Sequence, residues 1–580
     1  MEKIITRREF LSQTVVNNAL KDKKDPEKDP FFEKYANREM PFANARTNSG
    51  LDLYTSTLSE KDLLHLLRRT TFGATTQSVN TLKSMTLVQA VDYLVDNPQI
   101  PNSYPVNVYQ PWYPDTQGCP FDTSWVYFNA PDNDDHVLAQ NRISYSFKPW
   151  WFGEMINQPT HLMEKMTLFW ANHFGAQTED FNTPKAIFQH YNTLRTHGLG
   201  NFRTLIKAIT IDPHMLMFQN GNYNTASAPD ENYARELQEL FTVGKGPASV
   251  YTENDVQQAA KILTGWRRLA QPTGFYTSYF KDSEHDDSNK QFSSFYNNRV
   301  IAGRAGQDGQ YETDDLIDMI LSVDEVAKYI CRRIYRWFVY YVIDDAAEQN
   351  VIAPLASIFR AHNYEIAPVL KALFCSEHFF DPVNRGCIIK SPIDLYVACA
   401  REFGIPIPVS PQSDKYRHWQ HYKDKCDEVG QKLADPPNVA GWPAYYQYPV
   451  FYQIWMNADT VKKRLNAITS YIDAYGYPLS NSSTTVKINS ISYNMQFPNP
   501  QDPNEVVRNF CRYLLPQDVS AAQTAYMKNI LVKQGADHYW SDAWNTYVYD
   551  TSNDIARVTV QERLNDLIRH IITLEEYQLY

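Results

Sequence analysis

The sequence predicts a mainly α fold: a large multi-helix globular structure with long loops and a few short β-hairpins. Apolar residues recur at helical spacing through most of the 580 residues, and capping signals bracket those stretches. Between them lie segments rich in Pro, Gly, Asn and Tyr that hold only brief alternating runs.

Residues 1–50 read as an N-terminal arm or linker, because from residue 21 onward Lys, Asp, Pro and Asn dominate with little apolar periodicity. Its start, Ile5-Thr6-Arg7-Arg8-Glu9-Phe10-Leu11, resembles the core of a twin-arginine export signal. An export signal continues with about 7 to 15 apolar residues, whereas Ser12 to Lys24 is polar and ends in charges. Two readings stand: a short amphipathic helix of a cytoplasmic protein, or a decayed signal on a periplasmic one exported by the twin-arginine route with a partner. The core opens at Ser59, a cap with Asp62 three residues on and Leu58 placed to staple against Leu63. Helical periodicity then recurs near 76–96, 137–157, 160–174, 184–196, 202–211, 229–243, 252–264, 312–320, 323–342, 345–361, 365–374, 389–403, 457–475, 504–514, 518–534 and 558–577. Loops are expected at 100–135, 270–310, 405–455 and 478–502, with hairpins in the alternating runs Gly274–Phe280 and Thr485–Ile491. This gives a helical core over 51–475, subdivided near 270–310, and a C-terminal helical segment, 476–580, packed on it.

Composition narrows the function classes. A net charge of −11 with mixed signs along the chain argues against a nucleic-acid surface. No apolar run approaches the ~20 residues of a membrane span. Seven scattered cysteines without a C-x-x-C pair encode neither a disulfide framework nor a zinc ribbon. There is no G-x-S-x-G elbow, phosphate-cradling loop, dinucleotide fingerprint or haem motif. Asp282–Asp287 lacks the glycine of a calcium loop, and His418, His421 and Cys426 lack the second pair of a zinc site. The 39 tyrosines suit aromatic packing before a carbohydrate groove.

The most informative stretch is Pro229 to Gly244. Pro229 suits a first helical position, Asp230 and Glu231 complement the dipole, and Gly244 supplies a left-handed stop. Tyr233, Ala234, Leu237, Leu240 and Phe241 fall on one side, and Asn232, Arg235, Glu236 and Glu239 on the other. The polar side reads either as an ionic site, with an arginine fork beside a carboxylate base, or as a solvated face with internal ion pairs.

With Tyr251-Thr252-Glu253-Asn254-Asp255-Val256 and Leu263-Thr264-Gly265-Trp266, this helix resembles the signature of the bacterial family catalogued as domain of unknown function 1800. Further matches are Leu67-Arg68-Arg69-Thr70-Thr71-Phe72-Gly73, Phe169-Trp170-Ala171-Asn172-His173-Phe174 and Asn201-Phe202-Arg203. They continue with His285-Asp286, Lys290 and Phe292, Lys390-Ser391-Pro392, and Pro436-Pro437-Asn438-Val439-Ala440-Gly441-Trp442-Pro443. Ala171 stands where the family often has a second histidine. The resemblance implies no activity. It does imply a partner, a phosphatase- or sulfatase-like companion of the family catalogued as domain of unknown function 1501.

Two functions follow as expectations. One is a metal- or ligand-assisted hydrolase with a single pocket: Glu236, His173 and Arg235 catalytic, Arg68, Arg69, Asn232 and Glu239 binding the ligand, and His285 with Asp286 holding a divalent metal. The other is a non-catalytic assembly or binding protein, in which the same charges fix helix packing. His173 on its apolar stripe also reads as a satisfied core histidine.

Overall fold

Helix α1 (Glu60–Thr70) begins at the expected capping box: Ser59 accepts from the Asp62 amide, and the Asp62 carboxylate accepts from that of Ser59. The computed structural model describes residues 46–580 except 97, 99, 102, 109–118, 129–144, 180–182, 272, 444–450 and 481. The twin-arginine-like stretch and most of the arm lie outside the described residues. Within Thr47–Tyr580, which form one compact unit, the fold is mainly α, as the periodicity predicts. Among the described residues the strands form three two-stranded antiparallel ribbons. β1 (Trp266–Ala270) pairs with β2 (Tyr276–Phe280), β3 (Lys290–Gln291) with β4 (Val300–Ile301), and β5 (Tyr477–Pro478) with β6 (Thr485–Val486). No described helix is long and apolar enough to cross a membrane.

Helix α2 (Phe147–Asn157) is the described part of the stretch expected at 137–157. At the centre lies α3 (Met163–His173), buried along its whole length. A helix buried on all sides is ordinarily apolar, yet α3 carries Glu164 and Lys165, and each has its counter-ion. Arg195, on α4 (Pro184–His197), grips Glu164 through Nε at 2.6 Å and Nη2 at 3.0 Å, and the Trp151 indole donates to it at 2.8 Å. Lys165 pairs with Asp394 on α5 (Pro392–Glu402), which also accepts from Ser391 Oγ at 2.9 Å. Buried charge is thus neutralised locally, as a low-dielectric interior requires.

The end of α3 meets the loop 434–443, where the two backbones touch. Gly441, at φ +88°, leaves no room for a side chain: a Cβ there would sit 2.2 Å from the Asn172 carbonyl. A Cβ on Gly175 would sit 2.2 Å from the Val439 carbonyl. Asn172 Oδ1 accepts from the Trp442 amide at 2.8 Å, and the Tyr191 hydroxyl bridges the carbonyls of Ala176 and Ala434. Gly441→Ala is therefore expected to cost about 3 kcal/mol or more, from the clash and the left-handed backbone together. Its thermal unfolding midpoint falls, whereas Gly246→Ala, with nothing within 4 Å of its Cβ, leaves the midpoint in place.

Candidate functional site

The signature helix starts later than its sequence suggests. Its α segment spans Asn232–Glu236 with Glu231 at the N-cap, while Asp230 Oδ1 takes the Asn232 amide in a turn ahead of the helix, so Pro229 is not its first residue. Leu237–Thr242 then continue as a π-helix, and Gly244 supplies the expected positive φ. The last carbonyls of a helix have no partner within it and must find other donors. The Tyr329 hydroxyl reaches Leu240 O at 2.8 Å, and His173 Nε2 reaches Phe241 O at 3.0 Å.

Those bonds locate His173. Its ring is buried among Phe169, Trp170, Phe174, Phe241 and Tyr329. Burial, reinforced by Arg333, holds its pKa well below the ordinary histidine value, so it is a neutral donor that ties α3 to the π turn. On the polar side of the signature helix, Arg235 pairs with Glu231 at 2.9 Å and with the exposed Glu253 at 2.7 Å. Glu239 pairs with exposed Lys245 at 2.6 Å, and Asn232 is exposed. Glu236 is buried. The geometry of this face is that of a partly solvated ion-pair network.

His285 and Asp286 lie in a different contact set. The carboxylate of Glu312, at the start of α-helix 312–321, is fully buried, takes Lys290 Nζ at 2.6 Å and the Arg304 amide at 2.6 Å, and lies 3.3 Å from His285 Nε2. Asp286 Oδ1 accepts from the Ser288 amide at 2.9 Å, and its carbonyl from Lys290. His173 and His285 share none of these partners. Among the described residues no group of three or more His, Cys, Asp and Glu is arranged to hold a metal ion. His418 Nε2 meets Thr484 Oγ1 at 2.9 Å and His421 Nε2 the Tyr471 hydroxyl at 2.8 Å, and burial pushes them down to about 4 and about 3. Arg68 donates to Arg512 O at 2.7 Å, and Arg69, fully buried, to Asn384 O at 2.7 Å, so the arginine pair fastens α1 to later segments.

A ligand-sized opening lies beyond the end of α3. It is a cleft of about 720 Å3, within the roughly 300–1,000 Å3 of small-ligand sites. One wall is Gln177 and Glu179; a second is the end of α6 (Gln412–Glu428), with Asp427 and Glu428; the rest is 429–443 and Ile454 to Thr460, which leads into α7 (Ala458–Ser470). Asp435 holds the walls together: its Oδ1 accepts the amides of Thr178 at 2.6 Å and Glu179 at 2.9 Å, and Oδ2 pairs with Lys148 of α2. Gln177 Nε2 donates to Pro436 O at 2.8 Å. Burial raises the Asp427 carboxyl. At Glu179 burial also acts upward, but Lys432 at 3.1 Å and Lys148 outweigh it and hold the carboxyl low. A second cavity, between Thr210, Leu216 and Trp266, has about 10 Å3, no more than a water requires. Sequence reasoning missed Glu179, Asp427, Asp435 and Trp455 as cleft residues. The signal near them was the Pro436–Pro443 motif, of which Pro436, Pro437, Trp442 and Pro443 line the cleft.

The chain belongs to the family described as Protein of unknown function (DUF1800), whose profile matches residues 65–579. No curated protein and no solved structure matches it.

The contrast between buried and exposed charges is measurable. Glu312→Ala strands Lys290 in the interior and is expected to cost about 3–5 kcal/mol, whereas Arg235→Ala costs at most about 1 kcal/mol in urea unfolding. Burial alone would raise the Glu312 carboxyl, but His285 and Lys290 hold it below its ordinary value. A carboxyl lowered in the folded state stabilises fully above its unfolded pKa, about 4.3 for Glu, and loses that contribution as pH falls through the folded value. The unfolding midpoint therefore declines below about pH 4, and declines less in Glu312→Gln.

Proposed function

We propose that this chain is a binding protein that works through the cleft over Pro436–Pro443. The observation that carries the reading is the cleft itself: about 720 Å3, lined by both charged residues and apolar ones. The contacts of Arg235, Glu239 and Asn232 at the surface, and of His173 in the aromatic core, favour binding over a hydrolase built on those groups. The companion protein implied by family resemblance belongs to this reading as a partner. A hydrolase remains as a second reading, at the cleft instead. There burial raises the carboxyl of Asp427 while lysines lower that of Glu179, and two carboxyls pushed apart in one cleft suit an acid and a base.

A thermal-shift screen against a metabolite and oligosaccharide panel tests it. At least one compound is expected to raise the unfolding midpoint of the full chain, by mass action on the folded state. Ile454→Trp fills the cleft from an exposed position and abolishes that shift. An equal shift in both proteins contradicts the cleft as the site.

A further inference from the structure

Lys165 on α3 is wholly buried, and among the described residues its Nζ has one hydrogen-bond acceptor, Asp394 Oδ1 on α5. An ammonium brings three N–H donors. The other near neighbours of Nζ are the rings of Phe72, Tyr580 and Trp337, with centroids at 5.0, 5.2 and 6.0 Å. All three are buried and close the site to water. Burial pushes the Lys165 amine down, the buried Arg69 guanidinium adds to that, and Asp394 beside it does not bring it back. Desolvation is what turns a lysine into a nucleophile.

The carboxyl is set apart by what holds it. Asp394 Oδ2 accepts from Ser391 Oγ at 2.9 Å and from Tyr580 Oη at 3.3 Å, and among the described residues no backbone amide reaches either oxygen. Two other buried carboxylates that pair with lysine differ. Glu312 takes the Arg304 amide at 2.6 Å and, with His285 and Lys290 beside it, is held as an anion. Asp435 takes the amides of Thr178 and Glu179. Amides and extra cations fix a carboxylate in its charged form, which resists nucleophilic attack. At Asp394 one proton moving along the existing contact, from Nζ to Oδ1, leaves a free amine against a neutral acid, the form that a low-dielectric interior favours.

We propose that Lys165 and Asp394 are joined by a covalent amide bond, Nζ to Cγ, that staples α3 to α5. The Nζ lone pair attacks Cγ. Oδ2 takes the negative charge of the tetrahedral intermediate, held by the Ser391 and Tyr580 hydroxyls as in an oxyanion hole. The bond from Cγ to Oδ1 then breaks, and Oδ1 leaves as water with the proton it already carries and one from Nζ. Ammonium and carboxylate become amide and water; nothing is oxidised or reduced, and no co-reactant enters. Contact keeps the reacting groups together, and a site closed to water protects the product from hydrolysis. The two residues lie 229 positions apart, so the link restricts the unfolded chain over a long loop as a disulfide would, in a protein whose cysteines are all free.

The test is the intact mass of the denatured full chain, followed by tryptic mapping. The expected chain is lighter than its sequence by one water. Trypsin does not cut after an acylated lysine, so the peptide Ile143–Lys185, uncut at Lys165, emerges attached to Ser391–Arg401. Lys165→Met has the full mass of its own sequence. Wild type alone decides, whether or not that variant folds. A wild-type chain of full mass, cut normally after Lys165, overturns the proposal and leaves the ion pair. A chain one water lighter whose altered peptide lies elsewhere overturns it as well.

Discussion

The cleft stands on the contact between the end of α3 and the loop from Ala434 to Trp442. Two backbones approach there so closely that neither Gly175 nor Gly441 tolerates a Cβ. Asp435 extends the contact outward. A buried carboxylate is costly unless its lone pairs are filled, and Asp435 fills them with the Thr178 and Glu179 amides and with Lys148. That single side chain ties one wall of the cleft to another.

Buried charged pairs do comparable structural work elsewhere. Glu164 with Arg195, Lys165 with Asp394 and Lys290 with Glu312 are pairs in which both members are buried. Such pairs add little net stability, but losing one member leaves an uncompensated charge, so they lock a particular helix arrangement. His173 is the neutral counterpart, supplying a donor to the Phe241 carbonyl in the last turn of the signature helix.

Much of the fold was legible in the sequence, for local reasons. The Ser59 capping box, the stop at Gly244 and the hairpin strand at Tyr276–Phe280 depend on residues within a few positions of each other. Helical spacing placed α3 correctly but not its depth: a stripe of Met166, Phe169 and Trp170 looks the same on a surface helix and on one buried all round. The start at Asn232 was misplaced because Pro229 is a good first residue in isolation, while the Asp230 amide is held by Asn224 and its side chain by the Asn232 amide, a turn that delays the helix. The cleft was not legible. Asp435 follows Thr178 by more than 250 positions, and no spacing rule joins them. The sequence offered only the Pro436–Pro443 motif, read as a loop.

The most direct measurement is amide hydrogen exchange on wild type and Asp435→Asn. If Asp435 holds the cleft walls together, protection falls at 176–179 and 434–442 and is unchanged around His285, Lys290 and Glu312. Unchanged protection at Thr178 and Glu179, or a uniform loss across the chain, would contradict that role.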